Sequence, residues 1–592
     1  MLRNEQKPEN CWDLTRLYAS DAAWEAARTA LEQALPALGQ WQGRLGEGPR
    51  AFADCLADIN AAGEKLERLY VYANQTLHQD AGNTAAQSMA DRAENLLVTY
   101  GAVTAFFVPE ALSLPEETLA AYEAAPELAA YTHFMDNLRR QAAHTLSPAE
   151  EQLLAQAQEL AAGPEQIFAM LNEADLDLGQ MTDEAGQTVT LTKGLYTKFL
   201  ESPDRRVRQE AYEKLYNAYG KQKNTLAAIY AASVKKDEFY ARAKKYDSAL
   251  AMALADDAIP LSVYDNLTES VREALPLLHR YAALRKQQLG LTELCPYDLY
   301  VPLCPPPAAQ ISYAEAKETV KKGLAPLGTA YLALLQTGFD SRWIDVYENQ
   351  GKRSGAYSWG AYPGPPYVLL NHNGTTHSMF TLAHEMGHAL HSYLSWANLP
   401  FHYSGHKIFV AEVASTVNEA LLLAYLLEHA QTREEKLFYL NYRLEQFRGT
   451  FFRQTMFAEF ERAAHDKVRQ GQPLNVENLS EAYAQLNREY YGPALAVDGR
   501  IALEWARIPH FYTAYYVYQY ATGYSAAVAL SQRILQEGAP AVARYLDFLS
   551  KGSSEYSIDL LRGAGVDMTS PEPIRKAAAL FGQTLDELEA LL

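Results

Sequence analysis

Residues Thr375 to Trp396 read TTHSMFTLAHEMGHALHSYLSW, and His384-Glu385-Met386-Gly387-His388 at its centre fits the pattern H-E-x-x-H. Histidines four residues apart lie one turn apart on one face of a helix, so both imidazoles can reach a single metal ion. Glu385 is about 100° round the helix from His384. Its carboxylate is then close to the metal without being a ligand. That is where a general base must be to take a proton from a water whose pKa zinc lowers to about 7.

Other histidines flank the motif. His377 and His391 are each seven residues from His384, about 10 Å along the axis, too far to share its metal. His391 is three residues from His388, so spacing alone does not exclude it; both read as supporting or core histidines. His372 precedes the helix and could line a cleft. A catalytic zinc keeps three protein ligands and one open position. The third ligand is expected from Phe409 to Leu427, FVAEVASTVNEALLLAYLL, where Glu412 and Glu419 lie on one face about 10 Å apart. One of them coordinates and the other orients a ligand histidine; spacing does not choose between them.

Working outward, the stretch before the motif, Ser354 to Thr376, is dense in Gly, Pro and aromatics. Tyr367 to Leu370 reads as a short strand bounded by Pro365-Pro366 and Asn373-Gly374. Elsewhere apolar residues recur three and four apart, over Ala22–Ala37, Ala85–Val103, Pro148–Ala162, Arg205–Tyr246 and Tyr313–Leu335. Ser202-Pro203-Asp204 caps the helix that follows. The fold class is mainly α with a small β segment before the zinc helix. Cys295 to Pro307 carries five prolines and must be extended or turning. Boundaries near 115 and 200 divide the chain into an N-terminal helical region (1–115), a second helical region (116–200) and a catalytic region (201–592).

The 592 residues carry 72 acidic against 52 basic side chains, a net charge of −20, which argues against nucleic acid or anionic membrane as partner. The four cysteines, Cys11, Cys55, Cys295 and Cys304, lack C-x-x-C spacing and read as free thiols in a reducing compartment; a Cys295–Cys304 disulfide has no positive support. The first residues lack an apolar signal core, and the most apolar run, Ala420 to Leu427, is short for a membrane span. A cytoplasmic location is expected.

HEMGHALHSYL followed by FVAEVASTVNEALL resembles the oligoendopeptidase F branch of the M3 metallopeptidases, relatives of thimet oligopeptidase. YVLLNHNGT, EWARIPHFYTAYYVYQYATG and the opening CWDLTRLYASDAAW extend the resemblance over nearly the whole chain. The resemblance implies an elongated helical fold, two halves flanking a deep substrate channel, with region 116–200 of the oligoendopeptidase F N-terminal type. It implies one Zn2+ per chain held by His384, His388 and Glu412, with Glu419 hydrogen-bonded to a ligand histidine. It also implies a His and tyrosines from a late segment that bind substrate and stabilise the oxyanion; these map to His510 and to Tyr515, Tyr516, Tyr518 and Tyr520, of which Tyr518 and Tyr515 are favoured. Related peptidases pair extended substrate with an exposed strand edge, which maps to Tyr367–Asn371, Tyr367 and Leu370 among them, with Gly360 allowing close approach.

The implied reaction is internal cleavage of short, unstructured oligopeptides. A carboxypeptidase or dipeptidyl carboxypeptidase of the same metal class would need a cation for the substrate's free carboxylate, and the sequence identifies none. From another class, a non-catalytic peptide-binding protein could keep the motif for structure alone. Oligomeric state is not legible.

Overall fold

The computed structural model describes residues 2–305 and 310–592. Helices dominate, and the described residues form five short strands: β1 (Gln180–Thr182), β2 (Thr188–Thr190), β3 (Ile344–Asp345), β4 (Tyr357–Gly360) and β5 (Pro366–Leu369). The chain forms two compact units, both discontinuous. The first comprises Met1–Pro148, Ala309–Tyr425 and Leu530–Val566; the second comprises Ala149–Ala308, Leu426–Ala529 and Asp567–Leu592. The regions read from sequence, divided near 115 and 200, are contiguous, and 201–592 is shared between the units.

The helices follow their local signals. Ser20 caps Asp21–Ala34, Asn83 caps Thr84–Thr104 and Asp204 caps Arg205–Lys221, each accepting a backbone N–H of the first turn. Two helices expected as single are broken. Gln222 leaves helical geometry between Arg205–Lys221 and Lys223–Ala243. Ala325-Pro326-Leu327 interrupts Tyr313–Asp340, because Pro326 has no N–H to continue the ladder. All four cysteines are free. Of the proline-rich stretch, Pro296–Asp298 is a short 3₁₀ turn, while Pro306 and Pro307 lie outside the described residues.

In the first unit β3, β5 and β4 form one sheet with β5 in the middle, parallel to β3 and antiparallel to β4. Tyr367 and Leu369 enter a core with Trp12, Trp24, Leu35 and Val71. The opening segment runs beside β3: Val346 N–H donates to Asn10 O, and the Tyr367 hydroxyl donates to Asp13 O. Arg3 donates to both carboxylate oxygens of Asp345, and one of them, Oδ1, also meets the fully buried Lys352 ammonium at 2.8 Å. That ammonium also donates to the carbonyls of Asp345, Tyr347 and Leu370, tying the β3–β4 loop down. The second unit holds the β1–β2 hairpin and a helical core that includes Leu261–Gln288, Arg453–Arg469 and Val476–Tyr491.

Two stretches, Thr84–Ser113 and Ile408–Glu428, are long and apolar enough to cross a membrane by length and composition, a longer reach than the Ala420–Leu427 run suggests. Half of the most apolar window of Ile408–Glu428 is buried inside the protein, and the helix carries Glu412 and Glu419.

Candidate metal centre

The motif helix runs from Thr376 to Asn398, opened by reciprocal bonds between Thr375 and Ser378. It crosses the Ile408–Glu428 helix at Gly387. A Cβ there would lie 2.6 Å from Ser415 Cα and 2.8 Å from Ala414 O, so only glycine allows this approach. Asn418 secures the crossing: its Nδ2 donates to Ala383 O at 3.0 Å and its Oδ1 accepts from the Tyr331 hydroxyl, all buried.

The close crossing brings Glu412 to the motif histidines. Glu412 Oε2 is 3.3 Å from His384 Nε2 and 3.4 Å from His388 Nε2, and the two imidazole nitrogens are 3.2 Å apart. One donor atom from each of the three residues lies within 4.8 Å of the others. Ser415 Oγ donates to Glu412 Oε2 at 3.2 Å and so orients the carboxylate. Glu419 takes a different part. His384 Nδ1–H donates to its Oε1 at 2.5 Å, which leaves the Nε2 lone pair facing His388 and Glu412. The choice that spacing left open is thus separated by geometry.

Electrostatics follow from burial and neighbours. Burial alone would push the His384 imidazole down, but hydrogen bonds to Glu412 and Glu419 raise it well above its usual range. Burial likewise disfavours the Glu412 carboxylate, yet the two histidines hold it far below the ordinary range. A cation at this point is what the two carboxylates favour. Glu385, 6% exposed, is raised by burial. His391 is outside the cluster: it is buried, stacked on His406 at 4.3 Å, and held neutral by burial. His372 donates from Nε2 to Ile311 O.

The strand edge is not where the sequence put it. β5 has partners on both sides, so Tyr367 and its neighbours present no free edge. Tyr367 is wholly buried, and Leu370 N–H donates to Asp345 O. Gly360 is tight because its Cβ would meet Pro365 O at 2.4 Å and Trp396 at 2.7 Å; its smallness serves packing of the sheet on the motif helix. The edge is β4. Val368 N–H points to Trp343 O, so Ser358, opposite Val368, turns its own N–H and C=O to the outer side. Just before β4, Gly355 and Ala356 line a small cavity with Leu370, Asn371, His377 and Thr381.

In the second unit Tyr515 and Tyr518 are 2% and 3% exposed and both pack on Tyr264. Both rings are therefore buried within the second unit. Tyr515 has φ +56°, a left-handed backbone that turns its ring inward and its successor outward. The outward set is His510, Tyr516 and Tyr520. Tyr516 stacks on His510 at 5.8 Å and 16°, and the Tyr520 hydroxyl is 3.4 Å from His510 Nε2. The preceding turn is held by Glu504, buried between Arg453 and Arg507 and bonded to Tyr483.

Residues 198–580 match the model of Peptidase family M3. The chain belongs to this family. Residues 110–177 match a second model, Oligopeptidase F. Oligopeptidase PepF of Bacillus subtilis (strain 168) is 48% identical over 591 residues, covering 100% of this chain and 88% of that protein. An oligoendopeptidase F homolog of Lactococcus lactis subsp. lactis is 38% identical, covering 100% and 98%. The crystal structure of oligoendopeptidase-F from Enterococcus faecium superposes with a TM-score of 0.76 at 37% identity, covering 96% of this chain and 99% of that one. As an M3 peptidase the chain is an enzyme, a metallo-oligopeptidase with a catalytic metal, and its helical architecture is that of the family.

The residues missed by sequence reading, Ser415 and Asn418, lie three and six positions after Glu412. Their signal was helical phase: both fall on the face that meets the motif helix. Gly387 had a signal too, as a glycine inside an otherwise strong helix.

Proposed function

We propose that this M3 peptidase is a zinc-dependent endopeptidase that cleaves internal bonds of short, unstructured oligopeptides. The observation that carries the reading is the convergence of two imidazole nitrogens and one carboxylate oxygen beside a buried carboxyl, Glu385. Two neutral imidazoles and a carboxylate are a donor set that suits zinc and leaves a position open. His384, His388 and Glu412 would hold the ion. When bound, it supplies Lewis acidity that polarises the scissile carbonyl and lets water attack near neutral pH.

This chain's residues do the rest. Glu385 accepts the proton of the attacking water and passes it to the leaving amine, a role its raised carboxyl favours. Glu419 holds the Nδ1 proton of His384 and so keeps Nε2 as the donor to the ion. The β4 edge at Ser358 offers one N–H and one C=O to an extended peptide, as strand-adding recognition requires. In the second unit the family resemblance gives the late segment the oxyanion and substrate contacts, and the groups it turns outward are His510, Tyr516 and Tyr520, in place of Tyr515 and Tyr518.

Glu385→Gln tests the reading. Hydrolysis of a quenched-fluorescent peptide should fall about 10²–10⁴-fold while bound zinc stays at one per chain. Activity near wild type would mean the base is misassigned. Product analysis on one peptide with a free or an amidated C-terminus tests the endopeptidase mode: cleavage lost on amidation would overturn it.

A further inference from the structure

The helix Arg453–Arg469 carries Glu461, a carboxyl that is 1% exposed and takes no part in the reaction described above. Its Oε1 accepts the backbone N–H of Tyr515 at 2.7 Å. Tyr515 is in the left-handed region, where a bulky side chain is sterically disfavoured and persists only when its surroundings hold it. This residue separates two sets of aromatics. Its own ring goes inward against His465 at 4.9 Å and Tyr264 at 5.9 Å. The next residue, Tyr516, turns outward to His510 and Tyr520.

We propose that Glu461 is a positioning residue: by bonding the Tyr515 N–H it holds the left-handed turn that directs Tyr516, Tyr520 and His510 outward as one group. The inference rests on the reading that this group serves peptide cleavage. No other side chain bonds the Tyr515 N–H among the described residues. Among the described residues the Glu461 Oε2 has no hydrogen-bond partner, and neither do the Tyr230 hydroxyl, Asp237 Oδ2 and His465 Nε2. A carboxyl kept in such surroundings is justified by the one bond it makes. Burial raises this carboxyl well above its ordinary range, so the neutral form that glutamine imitates is the one favoured here.

Three variants of the zinc-loaded enzyme test this by two readouts, steady-state kinetics and hydrogen exchange of the peptide spanning Thr513–Tyr520. Glu461→Gln keeps an acceptor and should match wild type in both. Glu461→Asp withdraws the acceptor by one methylene and should lower kcat about tenfold or more, with KM within about twofold, while exchange at 513–520 rises. Adding Tyr515→Gly to Glu461→Asp removes the steric conflict of the turn and should recover most of the lost kcat. Unchanged exchange in Glu461→Asp overturns the positioning role. Raised exchange with unchanged kcat overturns instead the reading that the His510 group serves the reaction. Failure of Tyr515→Gly to restore kcat would show that Glu461 acts by some route other than the turn.

Discussion

The metal centre and the His510–Tyr520 segment were read from the same sequence, and they fared differently. In the metal centre every donor sits on a regular helix, where spacing sets direction: His384 and His388 share a face, and Ser415, Asn418 and Glu419 follow Glu412 in phase. The late segment is a 3₁₀ turn, a left-handed residue and the first turn of a helix. One positive φ at Tyr515 shifts which tyrosines face out. A motif on a helix therefore carries its geometry with it, while a motif on irregular backbone carries only its composition.

The comparison is broken most directly at Glu412. Glu412→Ala should leave less than about one-thousandth of wild-type turnover and abolish zinc retention after dialysis. Glu419→Gln should cost only about 10–100-fold in metal affinity, because in the proposed reading it bonds His384 Nδ1 and does not itself hold the ion. Equal losses in the two would erase the distinction drawn between them. In the late segment, Tyr520→Phe should lower kcat/KM about 100-fold, the scale of one lost oxyanion donor. Tyr515→Phe and Tyr518→Phe should stay within about threefold, well short of such a loss. Reversal of that order in a kinetic comparison would return the assignment to the inward pair.

Gly387→Ala sharpens the case for the helix crossing. Overpacking against Ser415 and Ala414 should cost about 1–3 kcal/mol in urea unfolding and weaken zinc binding with it. The smallest effect expected is a pH effect in the second unit. Burial disfavours the Glu504 carboxylate, but Arg453 and Arg507 outweigh it and hold the group at about 2 against an ordinary 4.5. A depressed carboxyl adds stability that is fully present above pH 4.5 and lost as pH falls toward 2. Urea midpoints taken between about pH 5 and pH 3 should fall less in Glu504→Gln than in wild type.

How much was legible follows the same division. H-E-x-x-H, the carboxylate helix and the helical architecture were written in spacing and periodicity. The strand Tyr367–Leu370 was legible as a strand, but its place in the sheet was not. That place depends on β3, more than twenty residues earlier, and on the opening segment, neither of which local pattern can reach. Tyr515 was illegible for another reason. Ala514-Tyr515-Tyr516 has no glycine or asparagine to signal a left-handed turn, and what holds it is Glu461 on a separate helix.

The opening segment has a consequence for synthesis. Asn10 bonds to Val346, and Arg3 pairs with Asp345, so partners are separated by well over three hundred residues. At about 5–20 residues per second, a ribosome takes roughly 20–70 s to supply the second partner after the first has emerged. Throughout that interval Trp12, Leu14 and Leu17, buried in the finished protein, lack the sheet they pack on. The nascent chain thus carries an apolar segment exposed for most of its translation, a natural target for holding chaperones and a place where a fused tag would act long before folding ends.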